Sequence, residues 1–185
     1  MKAMQLIIAT LALSASNAGS YELKGITMGM SQKGLEQRFP GLSCTQREMD
    51  KTVVECEYQR VGPSPNVTDL NSVAEVLVNY WRFWLYDDRL GTVLIGLPSE
   101  GYSDVHQAMV AKFGEPKTKE SAVQNRMGAS FAQREHIWLD ASSRLVLSKY
   151  SSSLDSSSLT FTAPWTSARS KKADQSKGLD KAKDL

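Results

Sequence analysis

Val76-Leu77-Val78-Asn79-Tyr80-Trp81-Arg82-Phe83-Trp84-Leu85-Tyr86 is the stretch that decides the fold class. It is dense in β-branched and aromatic residues, so it reads as a strand, extending back to Val73. Side chains alternate between the faces of a strand. Leu77, Asn79, Trp81, Phe83 and Leu85 then share one side and suit a core under helices. Val76, Val78, Tyr80, Arg82, Trp84 and Tyr86 share the other side, where rings mix with a guanidinium and two phenols. Asp87-Asp88-Arg89 reads as a turn and Leu90 to Leu97 as the returning strand.

Working downstream, Pro98 to Tyr102 reads as a loop. Ser103 is placed to cap a helix to about Phe113, with Val105, Met109, Val110 and Phe113 as its apolar face. Gly114-Glu115-Pro116 ends it. Polar sequence follows, then a strand over Ser130 to Leu139, a turn at Asp140 to Ser143, and a strand over Arg144 to Tyr150. A serine-rich loop over 151–158 leads to a last short strand, Ser158 to Thr162. The strand at Ser130 alternates as well. Phe131, Gln133, Glu135, Ile137 and Leu139 take one face, and Ala132, Arg134, His136 and Trp138 the other.

Working upstream, Leu42 to Gln46 and Thr52 to Arg60 read as a hairpin, followed by a loop over 61–68. A hairpin centred on Asp50 opposes positions that sum to about 100, as do the chain's only cysteines, Cys44 and Cys56. Directly opposed Cβ atoms lie about 4.5–5.5 Å apart, within adjustment distance of a bridge. A structural disulfide is expected; two thiols without a nearby His make a poor metal site, and no metal is expected. Before the hairpin, Ser31 can cap a short helix, Gln32 to Phe39, with Leu35 and Phe39 on one face and Pro40-Gly41 as its stop.

The chain has 185 residues, 41% hydrophobic and 23% charged, with a net charge of +2. That is an ordinary globular composition, which excludes fibrous and wholly disordered chains. Lys2, the apolar run Met4 to Leu13, and Ser16-Asn17-Ala18 have the layout of a signal peptide cleaved after Ala18. The alternative is a short N-terminal helix. No cysteine lies near the cut to take a lipid, and no second long apolar run follows. The mature chain is expected to be soluble, without a membrane anchor, and periplasmic or secreted. Residues 19–163 then form one domain, and 164–185 a flexible, mildly basic tail. The body is nearly neutral and offers no footprint for nucleic acid.

Two units share an outline: a Ser cap, a short amphipathic helix, an aromatic, a Pro stop, then hairpins. The predicted fold is α+β, with two loosely repeated helix-plus-meander units (22–97 and 98–163) sharing one antiparallel sheet, helices on one face. Gly25-Ile26-Thr27-Met28-Gly29-Met30-Ser31, Phe39-Pro40 and Lys112-Phe113-Gly114-Glu115-Pro116 carry a resemblance. The chain resembles small exported bacterial proteins of the β-lactamase-inhibitor-like fold group, which takes in the small lipoprotein of the outer-membrane assembly machinery. The resemblance implies tandem helix–sheet units whose open sheet face binds another protein. The chain departs from the lipoprotein branch in lacking a lipidation cysteine, and no site residue is carried over.

Trp, Tyr and Arg are over-represented at binding hot spots. Tyr80, Arg82, Trp84, Tyr86, Arg134, His136 and Trp138 are therefore expected to line one open sheet face that docks a partner protein, as an inhibitor or envelope accessory factor. The alternative for those residues is a half-buried face with Arg82 stacked on its neighbours. Only His106 and His136 offer a neutral-pH base. No nucleophile elbow, phosphate loop, zinc helix or dinucleotide motif is present, so neither an enzyme nor a cofactor is expected. Two other classes stay open. A small cell-envelope hydrolase or sugar-binding enzyme would gather His136 or two carboxylates in a pocket. A purely structural envelope protein would have no such face.

Overall fold

A computed structural model describes residues 21–48, 50–59 and 70–169. The signal-peptide reading, the 61–68 loop and residues 170–185 of the expected tail lie outside the described residues. Eight strands form one antiparallel sheet in the order β1-β2-β5-β6-β10-β9-β8-β7. Their bounds are β1 Ser43–Gln46, β2 Val53–Gln59, β5 Tyr80–Tyr86, β6 Arg89–Pro98, β7 Lys117–Gln124, β8 Ser130–Leu139, β9 Arg144–Ser148 and β10 Ser156–Thr162. A separate two-stranded hairpin, β3 Ser72–Val73 and β4 Val76–Leu77, precedes β5. Helix α1 (Gln32–Arg38) precedes β1, and α2 (Tyr102–Phe113) precedes β7. The α+β class and the large antiparallel sheet are as the sequence predicts.

Both helices pack on the same face of the sheet. Phe39, closing α1, stacks on Phe83 of β5 with ring centroids 6.4 Å apart. His106 of α2 lies 3.8 Å from the His136 ring of β8. Trp81, Phe83, Leu85, Val93, Ile95, Leu145, Leu147, Leu159 and Phe161 are fully buried beneath the helices. Trp81 stacks on Phe83 at 5.9 Å and donates from Nε1 to the Leu70 carbonyl at 2.8 Å. The hydrogen bond lets an indole sit in the core without an unmet polar group.

Several local expectations hold in detail. Ser31 caps α1, its Oγ accepting from the Gly34 N–H at 3.2 Å. Cys44 and Cys56 are directly paired in the β1–β2 register and are joined by a disulfide. Asp140 closes the β8–β9 turn by accepting from the N–H groups of Ser142 and Ser143 at 2.6 Å.

Others are corrected. Val73 to Tyr86 is not one strand. Ala74 and Glu75 adopt positive φ (49° and 65°), turning the chain back so that β4 pairs with β3. Val78 is consequently fully buried, and Leu77 is 53% exposed instead of in the core. Ser103 does not cap α2. The chain enters that helix through a 3-10 turn, Ser99–Gly101, with Gly101 at the N-cap and no side-chain cap bond. The polar stretch after Pro116 forms β7, an edge strand paired with β8 alone. Its run of exposed polar and charged side chains is normal chemistry for an edge, where charge discourages further strand pairing. Finally, residues 164–169 are helical and packed against the sheet, so the folded part runs past Ala163.

Candidate functional site

The expected docking residues divide between the two faces of the sheet. Cross-strand register runs Trp81, Ile95, Leu159, Leu147, His136 from β5 to β8. Directly paired residues point to the same side. His136 and Trp138 therefore lie on the helix-covered side with Trp81 and Phe83, and Tyr80, Arg82 and Trp84 lie on the other. Trp138 is 2% exposed, and its Nε1 donates to the Gly114 carbonyl at 2.7 Å. His136 is buried against His106. Arg134 is exposed on the same side as His136 and pairs with Glu120 at 3.0 Å. The expectation that all seven share one face fails, because alternation fixes faces within a strand whereas pairing fixes them between strands.

On the open side, β5 presents Tyr80, Arg82, Trp84 and Tyr86, each half-buried. Arg82 lies over the Tyr80 ring, 5.3 Å from its centroid, and its Nε bonds Glu57 Oε1 of β2 at 2.7 Å. This cation–π contact and ion pair hold the guanidinium flat on the sheet. Tyr80 lies down across Gly96, its direct partner on β6, and a Cβ at that position would run into the ring. Gly96→Ala is expected to destabilise the fold by about 1–3 kcal/mol through overpacking. Tyr80→Ala should remove most of that penalty, a coupling that urea unfolding of the two singles and the double would measure.

Tyr86 is the least available of the four. Trp165, from the helical turn at 164–169, meets its ring edge-on at 5.9 Å. Arg169 lies over the same ring and bonds Asp87 and Thr52, while Arg89 lies over Trp165. The sequence reading missed this cover, because it assigned the turn to a tail. It also missed the middle of the face. Thr92, Leu94, Thr160 and Ile137 are half-buried there, on the side of Trp84 and Arg82 by register. Ile137 lies opposite His136 and Trp138, as alternation along the strand predicts.

The resulting surface is broad, shallow and mixed. It carries three ion pairs, Arg82 with Glu57, Arg47 with Glu55, and Lys119 with Glu135, and by register the exposed Lys117 and Arg144 as well. Neither of two clefts is lined by Tyr80, Arg82 or Trp84. One of about 410 Å³ sits between the β7–β8 turn and the loop from Tyr150 to Leu154. Another of about 420 Å³ is lined by Glu75, Val76, Glu100 and Asp104. His136 lines neither. Among the described residues no group of three or more His, Cys, Asp and Glu side chains is arranged to hold a metal ion, and no helix is long and apolar enough to cross a membrane. No protein family, curated protein or solved structure matches this chain.

Proposed function

We propose that this chain is an exported, non-catalytic module that binds another protein through the open face of its sheet, as an inhibitor or an envelope accessory factor. One observation carries the reading: Tyr80, Arg82 and Trp84 stand half-exposed in a row on the side of the sheet opposite both helices. Rings and a guanidinium that are already held in place lose little entropy on docking, which is why these residue types recur at hot spots. A broad, shallow surface suits a folded protein better than a small molecule, which is usually enclosed in a cleft. With three ion pairs on the face and Lys117 and Arg144 beside them, the partner presents a flat patch of mixed polarity.

Two further points support the same reading. The leader at Met4 to Leu13 and the cross-strand disulfide both suit an oxidising compartment outside the cytoplasm. The sheet order also supports two helix-plus-meander units. Helix α1 leads into β1, β2, β5 and β6, helix α2 leads into β7 to β10, and the last strands of each set, β6 and β10, pair at the centre.

Affinity capture from a cell-envelope extract with the mature protein tests the function. One protein is expected in the eluate, with recovery lowered about tenfold or more by Trp84→Ala and by Arg82→Ala, the loss typical of a hot-spot truncation. Arg134→Ala, on the other side of the sheet, should leave recovery unchanged. Recovery that survives both open-face substitutions, in variants shown to be folded, contradicts the proposal.

A further inference from the structure

The chain contains two histidines, thirty positions apart, and the fold stacks them on each other. His106 on α2 and His136 on β8 lie with ring centroids 3.8 Å apart and planes within 21°. Tyr102, one turn before His106, is nearly parallel to both rings, at 6.4 Å and 5.8 Å. Trp138 is tilted against the pair, at 6.3 Å from His106 and 6.2 Å from His136. Thr118 of β7 bonds His136 Nδ1 at 2.8 Å. Four aromatic rings and one hydroxyl thus join α2 to the last two strands of the sheet.

We propose that this histidine stack is an acid-sensitive latch, which holds α2 against β7 and β8 while the His136 imidazole is neutral and loosens when it acquires a proton. Stacked imidazoles attract as neutral rings, but a charged His136 ring, buried against its neighbour, is poorly solvated. The polar atoms of the cluster leave little room for charge. Tyr102 Oη and His106 Nε2 are both buried without a hydrogen-bond partner among the described residues.

The balance of the surroundings acts in the same direction. From β8, Arg134 faces the pair; from β7, Glu120 holds that guanidinium at 3.0 Å and the neutral Thr118 bonds His136; just past α2, Glu115 pulls the other way. Burial first, then His106 and Arg134, hold His136 below the ordinary imidazole range against the pull of Glu115. Burial likewise pushes the Tyr102 phenol up to about 12, so it stays neutral throughout. An unfolded histidine takes its proton near pH ~6.5. Between that pH and the lower folded value of His136, the unfolded chain binds more protons than the folded one. Stability from the stack is therefore complete above about pH 6.5 and is lost as pH falls through the folded value.

The test follows urea unfolding of the full chain at pH 7.5, 6.5 and 5.5. The wild-type midpoint is expected to fall across this range, and that of His106→Phe/His136→Phe, which has rings but no imidazole, to stay level. A level wild-type profile, or an equal fall in the variant, overturns the latch. Amide exchange of the wild type gives a second readout that needs no variant. Acidification from pH 7.5 to 5.5, after correction for intrinsic rates, should remove protection from α2 before β5. Equal change in both elements, or none, overturns it.

Discussion

Trp81→Ala is expected to destabilise the protein by about 3–5 kcal/mol, whereas Trp84→Ala, three positions along the same strand, should cost only about 1–2 kcal/mol. Trp81 is wholly buried, stacked on Phe83, and hydrogen-bonded to the Leu70 carbonyl. Truncation leaves a cavity the size of an indole and strands a buried acceptor, and each adds to the loss. Domains of this size have roughly 5–15 kcal/mol in total, so the variant loses a large fraction of its stability. Thermal unfolding would register this as a fall of roughly 10 °C or more. Trp84 lies half-buried on the open face beside Thr92 of β6. Its loss uncovers sheet surface but opens no internal cavity. Similar losses for the two variants would mean that the open face is as closed as the core.

Removal of the disulfide is the second large effect. Cys44 and Cys56 are twelve positions apart, and closing a loop of that size stabilises by about 3 kcal/mol in the chain-entropy model. The consequence should concentrate at the sheet edge. Strand β1 pairs only with β2, and its side chains are largely exposed, so little burial holds it in place once the bridge is gone. Cys44→Ala/Cys56→Ala should lower the urea midpoint and release the β1 amides to exchange, while β5 and β6 keep most of their protection. Unchanged exchange in β1 would show that backbone pairing suffices there.

What was legible in the sequence was what a few neighbouring residues settle among themselves. Alternation along Tyr80 to Tyr86 sorts Trp81, Phe83 and Leu85 inward and Tyr80, Arg82, Trp84 and Tyr86 outward. Symmetry about Asp50 pairs Cys44 with Cys56. Ser31, three residues before Gly34, caps α1. What was not legible depends on partners distant in sequence. The face of His136 and Trp138 is set through four pairings, from β5 to β8, and no local pattern carries that parity. Strand β7 has no hydrophobic period, because an edge strand can form with both faces wet. The turn at Ala74-Glu75 uses left-handed backbone at residues that rarely adopt it, so propensity favours an unbroken strand there. The cover over Tyr86 comes from a segment whose composition, after Trp165, is that of a solvated tail.

The site changed accordingly. Of the seven residues expected to dock a partner, Tyr80, Arg82 and Trp84 keep an open aspect, Tyr86 is overlain by Trp165, and Arg134, His136 and Trp138 belong to the helix side. The two histidines that the sequence offered as neutral-pH bases stack on each other.

Oxidation of the folded protein by hydroxyl radicals, read residue by residue by mass spectrometry, tests the division of faces most directly. Trp84 and Tyr80 are predicted to react in the free protein, with Trp81 and Trp138 protected until it unfolds. A reactive Trp138 beside a protected Trp84 would mean that the open face is not the one proposed for docking.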